Sequence, residues 1–300
     1  MNPIIIGGKK PRPLLLEWLY TILWAGGAAI LLRSFLLEPF NIPSGSMIPT
    51  LQVGDHLVVS KWDFGYSRFS FPFGSFNLWS GRFAKMEQPK RGDIIVFRKP
   101  NGSVEWVKRL VALPGETVQM KAGRLYIDGK IVPRENPKRF VVANIPRARR
   151  DGFAYKDMFI KGNTITVDGK PADFDYTIEY KDDVLCAYSP MECTIEFAVE
   201  YTETLPGGVK HRIIEMSDAA MLDNTAAMTV PPDKYFMMGD NRDRSDDSRG
   251  QTLGFVPMDN LIGKVWAVFY SHNYYANLLA AWKWKDKMRW ERFGLMPGEK

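Results

Sequence analysis

Pro43-Ser44-Gly45-Ser46-Met47-Ile48-Pro49-Thr50 puts two serines and a glycine into a rigid turn, six residues after a membrane-length apolar segment ends. A serine in such a turn can present its hydroxyl as a nucleophile. Serine alone is weak near neutral pH, so the chain must also supply a base. Before the turn the sequence is a continuous apolar run; beyond it the texture changes to short strand-forming segments.

Trp18 to Leu32 carries no charge, Leu14 to Leu16 extend the run past Glu17, and Phe35 to Leu37 continue it beyond Arg33 and Ser34. About 20 apolar residues span a bilayer core, so residues 14–37 are predicted to form a transmembrane helix. A cleaved signal peptide would have a shorter apolar region and a small-x-small cleavage site. The stretch Leu37-Glu38-Pro39-Phe40-Asn41 contains no such site, which favours an uncleaved anchor. Lys9, Lys10 and Arg12 precede the span. The positive-inside rule then places tail residues 1–13 in the cytoplasm and everything after residue 38 across the membrane.

After the anchor the chain reads as mainly β. His56 to Ser60, Asp93 to Phe97, Val104 to Val111, Arg124 to Ile127 and Gly263 to Tyr270 are β-branched or aromatic runs. They are bounded by Gly, Pro, Asp and Asn, the usual turn formers. Tyr126 to Val132 has the form of a hairpin with an Asp128-Gly129 turn, and Asp168-Gly169 repeats the device. The expected architecture is a catalytic β domain from residues 38–116 and 232–300, interrupted by a β-rich insertion over 117–231. That insertion holds charge clusters at Arg147 to Asp151 and Glu179 to Asp183.

Forty basic against 34 acidic residues give a net charge of +6, too mild and dispersed for a nucleic-acid binder. A mildly basic protein beside an anionic bilayer fits the same balance. Phe64 to Trp79 is crowded with aromatics, and Trp282 to Phe293 mixes Trp with Lys and Arg. Such stretches suit either a bilayer interface or an aromatic core. Cys186 and Cys193 are the two cysteines, and His56, His211 and His272 are scattered, so the chain shows no zinc-site spacing. In an oxidising space the two cysteines can form a short-loop disulfide; otherwise they are free thiols.

No histidine has the context of a catalytic base; the stronger candidate is Lys108, inside the apolar strand Trp106 to Ala112 that ends at Pro114-Gly115. Strand alternation sends Lys108 and Arg109 to opposite faces, so one can be buried while the other is solvated. Burial lowers a lysine pKa, and a neutral amine can take the serine proton. A plain surface lysine on an edge strand is the competing reading. Met238 to Gly250 (MGDNRDRSDDSRG) is a dense polar loop directly after an apolar run. It suits a solvated turn, or a brace that offers an Asp-Arg pair and serines to a lysine nitrogen. It lacks EF-hand ligand spacing, and Arg242, Arg244 and Arg249 would oppose a cation.

Taken in order, the anchor, Ser44 to Thr50, Gly92 to Phe97, Lys108-Arg109 and Gly239-Asp240-Asn241-Arg242-Asp243 resemble the bacterial type I signal peptidases. The resemblance covers roughly Glu38 to Glu116 and Pro231 to Tyr270. It implies a membrane-bound serine endopeptidase of the bacterial inner membrane, without metal or cofactor, that cuts signal peptides from secretory preproteins on the extracytoplasmic side. It further implies Ser46 as nucleophile and Lys108 as general base, with the Ser44 hydroxyl and the Ser46 N–H as the oxyanion hole. Ser245 would position the lysine amine, Asp247 and Arg249 would form a supporting ion pair, and Gly239 would leave room beside the lysine. Ile42, Met47, Leu51 and Val107 would line shallow pockets that admit small side chains at positions −1 and −3. A disulfide between Cys186 and Cys193 matches one found in some members. Two alternatives stay open: a Ser-Lys relative dedicated to conjugation or pilus proteins, and a tethered β domain that only binds partners.

Overall fold

The computed structural model describes residues 13–71, 80–84, 87–146, 153–155, 158–161, 164–181, 195–272 and 288–298. Leu14–Phe35 forms one helix, α1, with a mean hydropathy of 1.6 and its apolar surface uncovered. Among the described residues it is the one helix long and apolar enough to cross a membrane, by length and composition. It stops two residues short of the predicted end because Leu37 already pairs with Ser60 as the start of a strand.

The fold is mainly β. Its central sheet has seven strands: β1 (Leu37–Asn41), β2 (Asp55–Ser60), β3 (Ile94–Arg98), β4 (Glu105–Ala112), β5 (Lys234–Met238), β6 (Val256–Pro257) and β7 (Leu261–Ser271). They lie in the order β1-β2-β7-β3-β4-β5-β6 and pair antiparallel throughout. The β-branched runs read from the sequence fall on β2, β3, β4 and β7, each within two residues of its predicted ends. Ile42, Met47, Leu51, Leu57, Ile94, Val96 and Val265 form one core cluster. Ile95, Phe97, Leu110 and Met237 belong to a second. Apolar cores therefore cover both faces of β4, because Leu110 sits in the second cluster while Val107 packs against the first.

Both expected Asp-Gly turns are present. Asp128 and Gly129 adopt φ of 50° and 74°, and Asp168 and Gly169 adopt 49° and 77°. Positive φ at both central residues is the type I′ geometry that Asp-Gly tolerates best. The strand Arg124–Ile127 that leads into the first turn pairs with Thr117–Lys121, and the two pack Val118, Met120, Leu125 and Ile127 into one cluster with Val111, Ala112, Phe236 and Met238 of the central sheet. Further along, Arg134–Pro146, Asp175–Lys181, Ile195–Thr204 and Lys210–Glu215 build a four-stranded sheet with one parallel pair. Phe140, Val142, Ala198 and Ile214 of that sheet bury Ile48, two residues past Ser46.

The end of α1 is built into the β domain. Glu38 bridges Arg33 at 2.7 Å and the buried Lys61 at 2.7 Å. The Tyr66 hydroxyl donates to the Phe35 carbonyl at 2.7 Å, and the Lys61 amide to the Leu36 carbonyl at 3.1 Å. Within Phe64 to Trp79, Phe64 is a core residue, and Tyr66 and Phe71 pack against Phe35 at the end of α1. Residues 72–79 lie outside the described residues, as do Cys186, Cys193, Arg147 to Asp151, 182–183, residues 1–12 and 282–287. At the other end of the second aromatic stretch, Trp290 and Phe293 stack at 5.4 Å and remain exposed.

Candidate active site

Ser44 is extended, and Gly45–Met47 follows as a single 3-10 turn, which lifts the Ser46 side chain toward β4. Met47, the last residue of the turn, and Ile48, which follows it, are buried in two different cores, so the turn is pinned by both. Lys108 Nζ lies 2.6 Å from Ser46 Oγ. Lys108 is 4% exposed. Burial lowers its pKa to about 8 against the opposing pull of Asp247, Asp246 and Asp240. The ammonium form donates to Ser46 Oγ; in the neutral form the hydroxyl donates to Nζ, which is the proton's path to a base.

The two residues open onto a groove of about 700 Å³ whose walls include Phe40, Ile42, Ser44, Met47, Val96, Val104, Trp106 and Val107. Ser44 is exposed on its rim. Leu51 does not line the groove; it is fully buried in the core behind Ile42 and Met47.

The polar loop from Gly239 to Arg249 is not a solvated turn. Asp240, Asn241, Arg242, Ser245, Asp247, Ser248 and Arg249 are all buried. Buried charges need partners, and Asp240, Arg242, Asp247 and Arg249 each have one. Asp247 accepts from Arg249 Nε at 2.9 Å and Nη2 at 3.0 Å, and from the Gly239 N–H at 3.1 Å. Arg242 pairs with Glu203 on the inserted sheet. Asn241 reaches back to the serine turn: its N–H donates to the Ser46 carbonyl at 3.1 Å and its Nδ2 to the Gly45 carbonyl at 3.1 Å.

Arg109 is not the solvated neighbour of Lys108 that alternation allows: it is 3% exposed. Its Nε and Nη2 grip the two oxygens of Asp240 at 2.8 and 2.7 Å, and Thr50 Oγ1 donates to the same carboxylate at 2.5 Å. Because both faces of β4 are covered, alternation chooses a face but not solvent. Burial alone would raise the Asp240 pKa; Arg109 overcomes it and holds the carboxyl below the ordinary carboxylate range. His56 lies 3.1 Å from His272, and His211 sits 3.4 Å from Glu203.

This arrangement has recognisable relatives. The family model described as signal peptidase, peptidase S26, matches residues 15–149 and 156–270. The chain belongs to that family. The match runs through much of the inserted region, where the sequence motifs alone carried no resemblance. Signal peptidase I of Rickettsia typhi (strain ATCC VR-144 / Wilmington) is 32% identical over 252 residues, spanning 81% of this chain and 75% of that protein. Signal peptidase I of Rickettsia canadensis (strain McKiel) is 34% identical over 245 residues, with the same two coverages. A crystal structure of a signal peptidase I from Enterococcus faecalis V583 covers 60% of this chain and 97% of that one at 22% identity. Its TM-score is 0.27, too low to argue from.

Gly239 sits where a side chain has no space. A Cβ there would stand 2.2 Å from Ser245 Oγ, 2.5 Å from Ser245 Cβ and 2.5 Å from the Ser46 carbonyl oxygen. The constraint comes from Ser245 and the Ser46 backbone. The hydroxyl of Ser245 is buried and makes no hydrogen bond among the described residues. Gly239→Ala is expected to destabilise the protein by about 1–3 kcal/mol through overpacking. It should also lower kcat/KM at least tenfold, because the displaced atoms carry Ser46. Urea unfolding and peptide cleavage, run side by side, check both effects.

Arg109, Thr50, Asp240 and Asn241 are the site-supporting residues that motif reading passed over. Asp240 and Asn241 lie inside the Gly239 to Asp243 motif, so the signal was present. Their partners are 131 and 196 residues away in the chain.

Proposed function

We propose that this chain is a membrane-anchored serine endopeptidase that removes signal peptides from exported preproteins by a Ser46–Lys108 dyad. The observation that carries the reading is a lysine amine, buried and with a lowered pKa, 2.6 Å from a serine hydroxyl on the floor of an apolar groove.

Neutral Lys108 takes the proton of Ser46 as Oγ attacks the scissile carbonyl. The resulting oxyanion is held by the Ser44 hydroxyl and the Ser46 N–H, and preorganised donors of this kind supply roughly 3 kcal/mol. The Lys108 ammonium then protonates the leaving amine, which departs as the mature protein. Water, deprotonated by the regenerated amine, releases the signal peptide from Ser46 as a carboxylate. Asp247–Arg249 and the Asn241 bonds keep the loop and the serine turn in register during both half-reactions.

Ile42, Met47 and Val107 make the groove shallow beside Ser46, so small side chains at −1 and −3 fit and large ones clash. α1 anchors the chain in the bacterial cytoplasmic membrane with residues 1–13 on the cytoplasmic side. Exposed Trp266, Phe269, Trp290 and Phe293 offer aromatic surface to the bilayer face. The test is cleavage, by purified protein in detergent, of a preprotein and of its variant with a bulky residue in place of Ala at −3. Cutting of the first, and at least roughly 100-fold slower cutting of the second, supports the reading. Failure to cut the first refutes it, and equal cutting of both refutes the pocket assignment.

A further inference from the structure

Three carboxylates meet behind the polar loop with one ion pair among them, Arg134 to Glu215. Glu215 ends the strand Lys210–Glu215, Asp223 lies in the segment that follows, and Asp243 belongs to the loop itself. One carboxylate oxygen from each lies within 4.8 Å of the other two. Glu215 and Asp223 are buried and Asp243 is half-buried.

Each carboxylate has one oxygen engaged. Glu215 Oε2 accepts from Arg134 Nη1 at 3.0 Å, and Asp223 Oδ2 from the Ala220 N–H at 2.6 Å. Asp243 Oδ2 accepts from the Met216 and Ser217 N–H groups at 2.5 and 3.1 Å. The remaining oxygens, Glu215 Oε1, Asp223 Oδ1 and Asp243 Oδ1, are shut off from solvent and accept no hydrogen bond among the described residues. Nearby guanidiniums do not settle the charge. Arg134 is shared with Asp218, Arg242 is paired with Glu203, and Arg249 with Asp247. Six carboxylates thus face three cations, and the three open oxygens belong to one cluster.

All-oxygen, all-anionic donors suit a hard cation. Two oxygens on opposite sides of a calcium ion are about 4.8 Å apart, so one ion can reach all three. A cavity of about 530 Å³ borders the cluster at Asp223 and Asp243; Arg242, Arg244 and Arg249 line it as well. We propose that Glu215, Asp223 and Asp243 form a divalent-cation site, taken by calcium, that ties the inserted sheet to the loop supporting Ser46. The inference is independent of the hydrolytic mechanism, since the ion touches neither Ser46 nor Lys108.

Its test uses the full chain in nonionic detergent, freed of metal with EDTA and titrated with calcium chloride. Calorimetry should give one saturable site in the millimolar range or tighter, and 10 mM calcium should raise the unfolding temperature by about 3 °C. Glu215→Gln and Asp223→Asn should each weaken binding at least tenfold and remove the temperature shift. If either variant fails to fold, hydrogen exchange on the unmodified chain reads the same point. Calcium should slow exchange in segments 213–224 and 240–245. Absence of saturable binding, a wild-type response in both variants, or slowing confined to other segments overturns the proposal.

Discussion

Replacing Lys108 with methionine is expected to abolish cleavage and, in the same molecule, to raise the unfolding temperature by several degrees at pH 7. The two effects have one cause. Folding lowers the lysine pKa from 10.5 to about 8, so the folded chain holds that proton less tightly than the unfolded chain. Below pH 8 the amine is charged in both states, and the full cost of burying it is present. The difference, 10.5 − 8, corresponds to roughly 3 kcal/mol. The cost fades as pH rises from 8 toward 10.5, when the unfolded chain also loses the proton. Methionine fills a similar volume without the charge and removes the cost at every pH. It also removes the base, and loss of one member of a nucleophile–base pair lowers kcat by about 10⁴-fold or more. Calorimetry and peptide cleavage on one preparation check the pair of outcomes. Retained activity would show that another group is the base, and an unchanged unfolding temperature would show that the lysine pays no burial cost.

Arg109→Met should act in the opposite sense on stability. It leaves Asp240, 1% exposed, without its bidentate partner. Breaking one side of a buried ion pair costs about 3–5 kcal/mol, because the other charge stays behind. The loss should reach catalysis, since Asn241, next to Asp240, holds the carbonyls of Gly45 and Ser46. A drop in kcat/KM of at least tenfold is expected for the molecules that remain folded. Adding Asp240→Asn should recover a good part of the stability, because the orphaned charge disappears. The urea midpoints of the wild type, both single variants and the double variant form a cycle that measures the coupling. A single variant with wild-type stability would refute the account of this pair.

The strands were legible because their signals are local, whereas the pairing of Ser46 with Lys108 rested on the family resemblance. β-branched runs bounded by turn residues mark β2, β3, β4 and β7. Ser46 stands in a Pro-flanked turn, and Lys108 in an apolar run that a lysine enters only against cost. The burial of Arg109 was missed because alternation presumes a sheet with one wet face, whereas cores lie on both sides of β4. Gly239 to Arg249 has the composition of a surface loop; its burial depends on Arg109, Glu203 and the serine turn, all distant in sequence. Ile48 has no role in the motif reading, yet it seats the serine turn on Phe140, Val142, Ala198 and Ile214. Leu51 was a pocket residue by resemblance alone, and packing places it one layer deeper.

The central claim is that a buried neutral lysine serves Ser46, and the pH dependence of kcat/KM on a short peptide tests it most directly. The rate should climb about tenfold per pH unit on the acid side, as the ammonium form that cannot accept a proton gives way. It should level off above an apparent pKa of about 8 in the wild type. A flat profile between pH 6 and 9, or a midpoint near the ordinary histidine value of about 6.5, would contradict the account.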